Sequence, residues 1–196
     1  MIDTAPALAV TLGLALTALS ATACNPTPSR TSAAEPARRD PPMPPQIHCT
    51  ATPANDGRTT VRYEIHNAGA DVIYLLDGRR MPYRLAVGED TLEILHGVNP
   101  PDPNKLYNMI EIPLTRPLAP GERVTGEVVL PAPTLRDHYG EQPTPDRLLH
   151  GTIQVRCTVG WGTTPIAAAD RARMSIQQLL AWQHLTSFGP FAVTLP

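Results

Sequence analysis

From position 47 onward the residues predict an all-β fold: an antiparallel β-sandwich of about seven to nine short strands, with one short helix near the C-terminus. Three observations carry that expectation. Apolar and polar residues alternate with period two in well-separated runs, as in strands that bury one face. Turn-forming groups punctuate the chain at short intervals, among them Asn55-Asp56-Gly57, Asn67-Ala68-Gly69, Gly88-Glu89-Asp90 and Pro120-Gly121. The chain also carries 23 prolines, fifteen of them beyond Gln46, which argues against long helices there.

Ile47 and Cys49 share one strand face at the start of the domain, with His48 and Thr50 on the other. Residues 59–77 form the stretch around which the rest is organised. Val61, Tyr63 and Ile65 alternate with Arg62, Glu64 and His66, Asn67-Ala68-Gly69 interrupts, and 72–76 follow as a nearly continuous apolar strand. A ribbon with one apolar face needs other strands to cover it. Residues 83–87 and 91–95 read as two more strands around Gly88-Glu89-Asp90. Residues 98–104 are loop, since three prolines cannot sustain a ladder, and 106–114 carry another short extended piece. Leu118-Ala119-Pro120-Gly121-Glu122 is a tight turn, with proline pre-set for its second position and glycine for the positive φ that follows. Val124, Val128 and Leu130 then point inward against Arg123, Thr125 and Glu127. Residues 132–149 read as a long proline-bearing loop. In 151–162, Ile153, Val155, Cys157, Val159 and Trp161 face one way and Gln154, Arg156 and Thr158 the other. Good helix formers in 167–185 predict one helix there, and 187–195 return as the last strand.

Upstream lie two segments of different character. Residues 1–23 read as a signal peptide, because 5–23 are small and apolar but interrupted by Pro6 and Gly13. The run ends Leu19-Ser20-Ala21-Thr22-Ala23-Cys24, which resembles a bacterial lipobox. That resemblance implies a lipidated Cys24 at the mature N-terminus and a palmitate-bearing membrane anchor. Ordinary cleavage after Ala21-Thr22-Ala23 would instead release a soluble protein, and retention of the segment would leave an anchor with Arg30, Arg38 and Arg39 beside it. Residues 24–46 hold seven prolines and almost no large apolar side chain, so they read as a disordered tether. That leaves 47–196, about 150 residues, as one domain with one core.

Within that domain, Asn67-x-Gly69 between two strands, followed by Leu118-x-Pro120-Gly121-Glu122 leading into a strand that ends Leu130-Pro131, is similar to bacterial immunoglobulin-like domains. The chain resembles uncharacterised exported lipoproteins of GC-rich bacteria over 47–196. The resemblance implies an envelope module that binds or spaces, facing the periplasm or cell surface, and it carries no catalytic residue with it.

Composition excludes several classes. The net charge is −2 with both signs scattered, which gives no footprint for nucleic acid and no polybasic membrane patch. Of the 16 basic residues Lys105 is the single lysine, as expected from a GC-rich genome. With Cys24 lipidated, Cys49 and Cys157 remain as a pair in an oxidising compartment, both on apolar strand faces, as a bridge across the core requires. Two buried free thiols are the competing reading. Ser175 and Ser187 lie in no nucleophile elbow, and Cys157 with His150 upstream sits among core valines where a thiolate is disfavoured. Glu89-Asp90 with Glu93 reads as a solvated hairpin tip rather than a catalytic carboxylate pair. The six histidines lack ligand spacing, and Asp102-x-Asn104 is only a fragment of a calcium loop, leaving Met43, His48 and another histidine as a copper or zinc alternative. No enzyme activity and no cofactor is therefore expected. Binding is left, and in sandwiches it belongs to the loops at the ends. Residues 98–107 and 132–149 hold Lys105, Tyr107, Arg136, His138 and Tyr139, a contact set suited to an envelope protein or a glycan. The alternative function is a secreted glycan-binding or inhibitor module using the same two loops; the opposing reading is that they are pinned, solvated connections.

Overall fold

The structure is a computed structural model that describes residues 42–77, 84–85, 90–104, 106–107 and 112–196. It is mostly β. In chain order the strands are β1 (Gln46–Pro53), β2 (Thr59–His66), β3 (Ile73–Asp77), β4 (Arg84–Leu85), β5 (Thr91–His96), β6 (Leu114–Leu118), β7 (Arg123–Leu130), β8 (Thr134–Asp137), β9 (Gly140–Pro143), β10 (Gly151–Gly162) and β11 (His184–Leu195). Two short helices, α1 (Ala168–Arg171) and α2 (Ile176–Trp182), separate β10 from β11. Residues 1–41, with the leader, Cys24 and most of the tether, lie outside the described residues, as do Lys105 and most of the strand expected at 83–87. Among the described residues, no helix is long and apolar enough to cross a membrane.

The strands form a sheet in the order β1-β2-β7, a larger one in the order β4-β5-β10-β3-β6 with β11 also on β10, and the hairpin β8-β9. β10 is the spine of the larger sheet. One side of it takes β11 along its whole length, while the other takes β5 and, beyond it, the end of β3. Side chains of both sheets meet in one core: Cys49, Val61, Val128 and Leu130 from the first pack with Leu92, Ile94, Ile153, Val155 and Val193 from the second. At roughly 1.5–3 kcal/mol for each fully buried aliphatic side chain, this shared face is the main reason the two sheets stay together. The Cys49–Cys157 disulfide crosses it, closing a separation of 108 residues.

The expected inward sets are largely as read. Val61 and Ile65 are buried with Tyr63 partly so, and all five of Ile153, Val155, Cys157, Val159 and Trp161 are buried. β3 explains its own unbroken apolar run, because both its faces are covered. Leu75 packs toward Ile65, Leu118 and Trp161, whereas Leu76 packs the other way with Val98, Ile166 and Leu179 of α2.

Several expectations need correction. β5 runs parallel to β10, so the larger sheet is not purely antiparallel; β6 to β9 intervene between the two, and a parallel pair requires such a long connection. Among the described residues eleven strands are found where seven to nine were expected, because residues 132–149 contain a hairpin. That segment is no plain loop: Leu135 plugs the core, Asp137 Oδ1 accepts from the Tyr139 amide at 2.8 Å to make the turn, and a 3-10 turn at Asp146–Leu148 buries Leu148. The single helix predicted over 167–185 is two. Ser175 restarts it with a capping box, its Oγ accepting from Gln178 N at 3.2 Å while its own amide donates to Gln178 Oε1 at 2.7 Å. α2 stops at Trp182 because Gln183 turns extended and its side chain acts as a strand residue, accepting from Val98 N and donating to Val98 O, both at 2.8 Å. This brings Gly97 and Gly160 so close that a Cβ on Gly160 would lie 2.4 Å from Gln183 Oε1. β11 accordingly starts at His184 rather than at Ser187.

The two turn motifs meet. Asn67 is fully buried; its Nδ2 donates to Asp71 O at 2.8 Å and to Leu118 O at 2.9 Å, and its Oδ1 accepts from Gly69 N at 3.0 Å. Its main chain donates to Glu122 O and accepts from Gly121 N. Gly121 has φ +77°, as the turn requires, and Glu122 Oε2 closes it by accepting from Ala119 N. One asparagine therefore ties the β2–β3 connection to the β6–β7 turn.

Candidate functional site

The loop after β5 and the β8–β9 hairpin come together. Tyr107 and Tyr139 stack with ring centroids 4.5 Å apart, and His138 stands edge-on to Tyr139 at 5.2 Å. The Tyr139 hydroxyl donates to Asn99 O at 2.6 Å, and the Tyr107 hydroxyl accepts from the Asp102 amide at 3.1 Å. Each tyrosine thus holds the proline-rich loop in place with its polar tip and offers a half-buried ring. The Asn99 side-chain oxygen is buried with no hydrogen-bond partner among the described residues, an acceptor that a water or a ligand donor would satisfy. Leu106, next to Tyr107, is fully exposed.

Three of the five predicted contact residues, Tyr107, His138 and Tyr139, are therefore gathered from segments about thirty residues apart. Arg136 is committed elsewhere, its Nε 2.8 Å from Glu141 Oε2 across the hairpin. A hydrogen bond from Thr134 and then the Arg136 charge hold the Glu141 carboxyl below the usual carboxylate range. Lys105 falls outside the described residues. Asn99 was not singled out by the sequence reading, where only its place before Pro100-Pro101 sets it apart.

Burial pushes the Tyr139 phenol up from 10.0 to about 12, with Tyr107 and Asp137 adding to the effect. Because folding keeps this phenol protonated, its contribution to stability is complete below pH 10 and is lost as the pH rises toward 12. A titration followed at 295 nm is expected to show a late component at about pH 12 that disappears in Tyr139→Phe. Burial also raises Tyr63, so loss of the late component in that variant, rather than its mere presence, is the deciding result.

Other candidates resolve into structural roles. Ser175 caps α2, and Ser187 Oγ lies 2.9 Å from Thr158 Oγ1. Thr158 in turn donates to Glu93 at 2.6 Å, and Glu93 is only 4 % exposed, so it belongs to a buried polar row and not to a hairpin tip. Asp102 Oδ1 accepts from Asn104 N, a turn bond in place of a calcium ligand. His48 rests edge-on against Phe188, while Met43 lies beside Gly69. Among the described residues no group of three or more His, Cys, Asp or Glu is placed to hold a metal ion. Cys157 is spent in the disulfide. A shallow depression of about 620 Å³ on the outer face of β1-β2-β7 is lined by His48, Thr50, Arg62, Glu64, Thr125 and Glu127. Its charges pair within the chain, Arg62 with Glu127 and Glu64 with Arg123. The loop end is the better candidate. No family model, no curated protein and no solved structure matches this chain.

Proposed function

We propose that this chain is an exported bacterial envelope lipoprotein, anchored through Cys24, whose immunoglobulin-like sandwich is a non-enzymatic interaction module that presents the Tyr107–His138–Tyr139 end to an envelope protein. The observation that carries the reading is the convergence of those three aromatic side chains from two separate segments into one cluster. Aromatic side chains with few rotatable bonds make contact area at low entropic cost, which is why they recur at binding surfaces. The disulfide supports an oxidising compartment, and the two sheets closing over a shared core support the sandwich.

The test has two parts on the full chain in a bacterial host. Labelled palmitate is expected to enter the protein and to be lost in Cys24→Ser; label in neither chain, with soluble secretion, would favour the unanchored glycan-binding or inhibitor module. A photo-crosslinker placed at Tyr107 or at His138 is expected to give a discrete adduct that one placed at Thr50 does not. Equal adducts at both sites, or none at the loop end, would overturn the contact assignment.

A further inference from the structure

We infer that the free edge of β7 is a self-association surface, which pairs antiparallel with β7 of a second copy about a two-fold axis at Thr125. β7 is bonded to β2 residue for residue from Arg123 to Leu130, with no bulge or register shift, and no other strand among the described residues pairs with it. An eight-residue, regular, unpaired edge is a template for another strand, and proteins ordinarily blunt such edges with proline, bulges, charged side chains or short length. Of these devices β7 carries only the charges Arg123 and Glu127, which are opposite in sign. Its inward positions are Val124, Gly126, Val128 and Leu130. The other edges are shorter or interrupted: β4 has two residues, β8 and β9 have four each, β6 carries Pro117, β11 carries Pro190 and a register shift against β10, and β1 ends at Pro53.

The outward charges select both the occupant and the register. Arg123, Thr125, Glu127 and Val129 are all exposed on one face. In a two-fold antiparallel pair, side chains directly opposite lie about 4.5–5.5 Å apart, and unlike charges there attract while like charges repel. Centred on Thr125, Arg123 faces Glu127 of the second copy, and the contact occurs twice. Centred on Glu127 or on Arg123, like charges collide at the axis, and centring on Val124 or Gly126 leaves Arg123 and Glu127 opposite uncharged residues. Within one copy Arg123 already pairs with Glu64 and Glu127 with Arg62. The dimer therefore extends an alternating row: Glu64, Arg123, then Glu127 and Arg62 of the second copy. A self-complementary pattern of this kind fits another copy of this chain better than an arbitrary strand.

The experiment uses the full chain in a non-ionic detergent. Sedimentation velocity is expected to show a dimer that Arg123→Glu and Glu127→Arg each weaken by about tenfold or more and that the two substitutions together restore. Far-UV circular dichroism and the melting temperature establish that each variant is folded. Mild oxidation is expected to cross-link Thr125→Cys into dimers, while the unsubstituted chain, which keeps Cys24, stays uncross-linked. A monomer at all concentrations would overturn the inference and leave the edge to a foreign strand. So would a double variant no better than the singles, or a Thr125→Cys chain that gives no cross-link.

Discussion

Replacing Cys49 and Cys157 together by alanine is expected to lower the unfolding free energy by about 4 kcal/mol and the melting temperature by about 10 °C. The bridge joins β1 of one sheet to β10 of the other across a separation of 108 residues, so it withholds a large share of chain entropy from the unfolded state. Both cysteines are buried in the shared core. The same loss should follow from reductant alone, and the slope of a guanidinium unfolding curve should steepen, because the open chain exposes more surface than the cross-linked one. A double variant within about 1 kcal/mol of the native protein would mean that strain in the folded state, or residual structure in the unfolded one, cancels the constraint.

Asn67→Ala is expected to cost about 3 kcal/mol although it removes no charge and little apolar surface. The substitution leaves two carbonyls, of Asp71 and Leu118, and one amide, of Gly69, without their present partner. A buried group left unsatisfied costs roughly 1–3 kcal/mol, and water can reach part of this site, so the sum falls short of three full penalties. Asn67→Asp should be no better. Its carboxylate keeps the Gly69 amide but turns an anion toward the two carbonyl oxygens in a buried place. His66→Ala, one residue earlier on the polar face, is the control and is expected to stay within about 0.5 kcal/mol. An alanine variant equally close to the native stability would show that the two turns hold without their asparagine.

Much of this architecture was legible in the sequence where period and chemistry coincide. The alternation of Val61 to Ile65 and of Ile153 to Trp161 identified strands and their buried faces, because a side-chain period of two admits no other arrangement. Asn67-x-Gly69 and Leu118-x-Pro120-Gly121-Glu122 were read correctly as turns. Their hydrogen bonding to each other was not legible, since it depends on which strands become neighbours. The parallel register of β5 on β10 was hidden for the same reason. The β8–β9 hairpin was missed because Pro131, Pro133, Pro143 and Pro145 crowd its ends while only Leu135 marks its buried face. The helix over 167–185 divided because Ser175 prefers a cap to a helix interior, a signal present in Ser175-x-x-Gln178 but outweighed by the helix formers around it.

At the candidate site, loop length and aromatic content drew attention to Tyr107, His138 and Tyr139. Nothing in one dimension said that they meet. Arg136 was weighed as a contact because of its type, and the hairpin uses it instead to face Glu141. Glu93 was misplaced by its neighbours Glu89 and Asp90: a carboxylate beside a turn is ordinarily solvated, yet here it lies in a strand against Thr158.

The central claim is that two sheets close over one core, bridged from β1 to β10, and the proposed export would form that bridge outside the cytoplasm. Blocking free thiols in intact bacteria before lysis, then mapping peptides by mass spectrometry, tests it most directly. The expected result is a linked pair of peptides carrying Cys49 and Cys157, with neither cysteine blocked. Recovery of both as blocked, unlinked thiols once the protein is unfolded in the presence of the reagent would contradict the bridge and the compartment together.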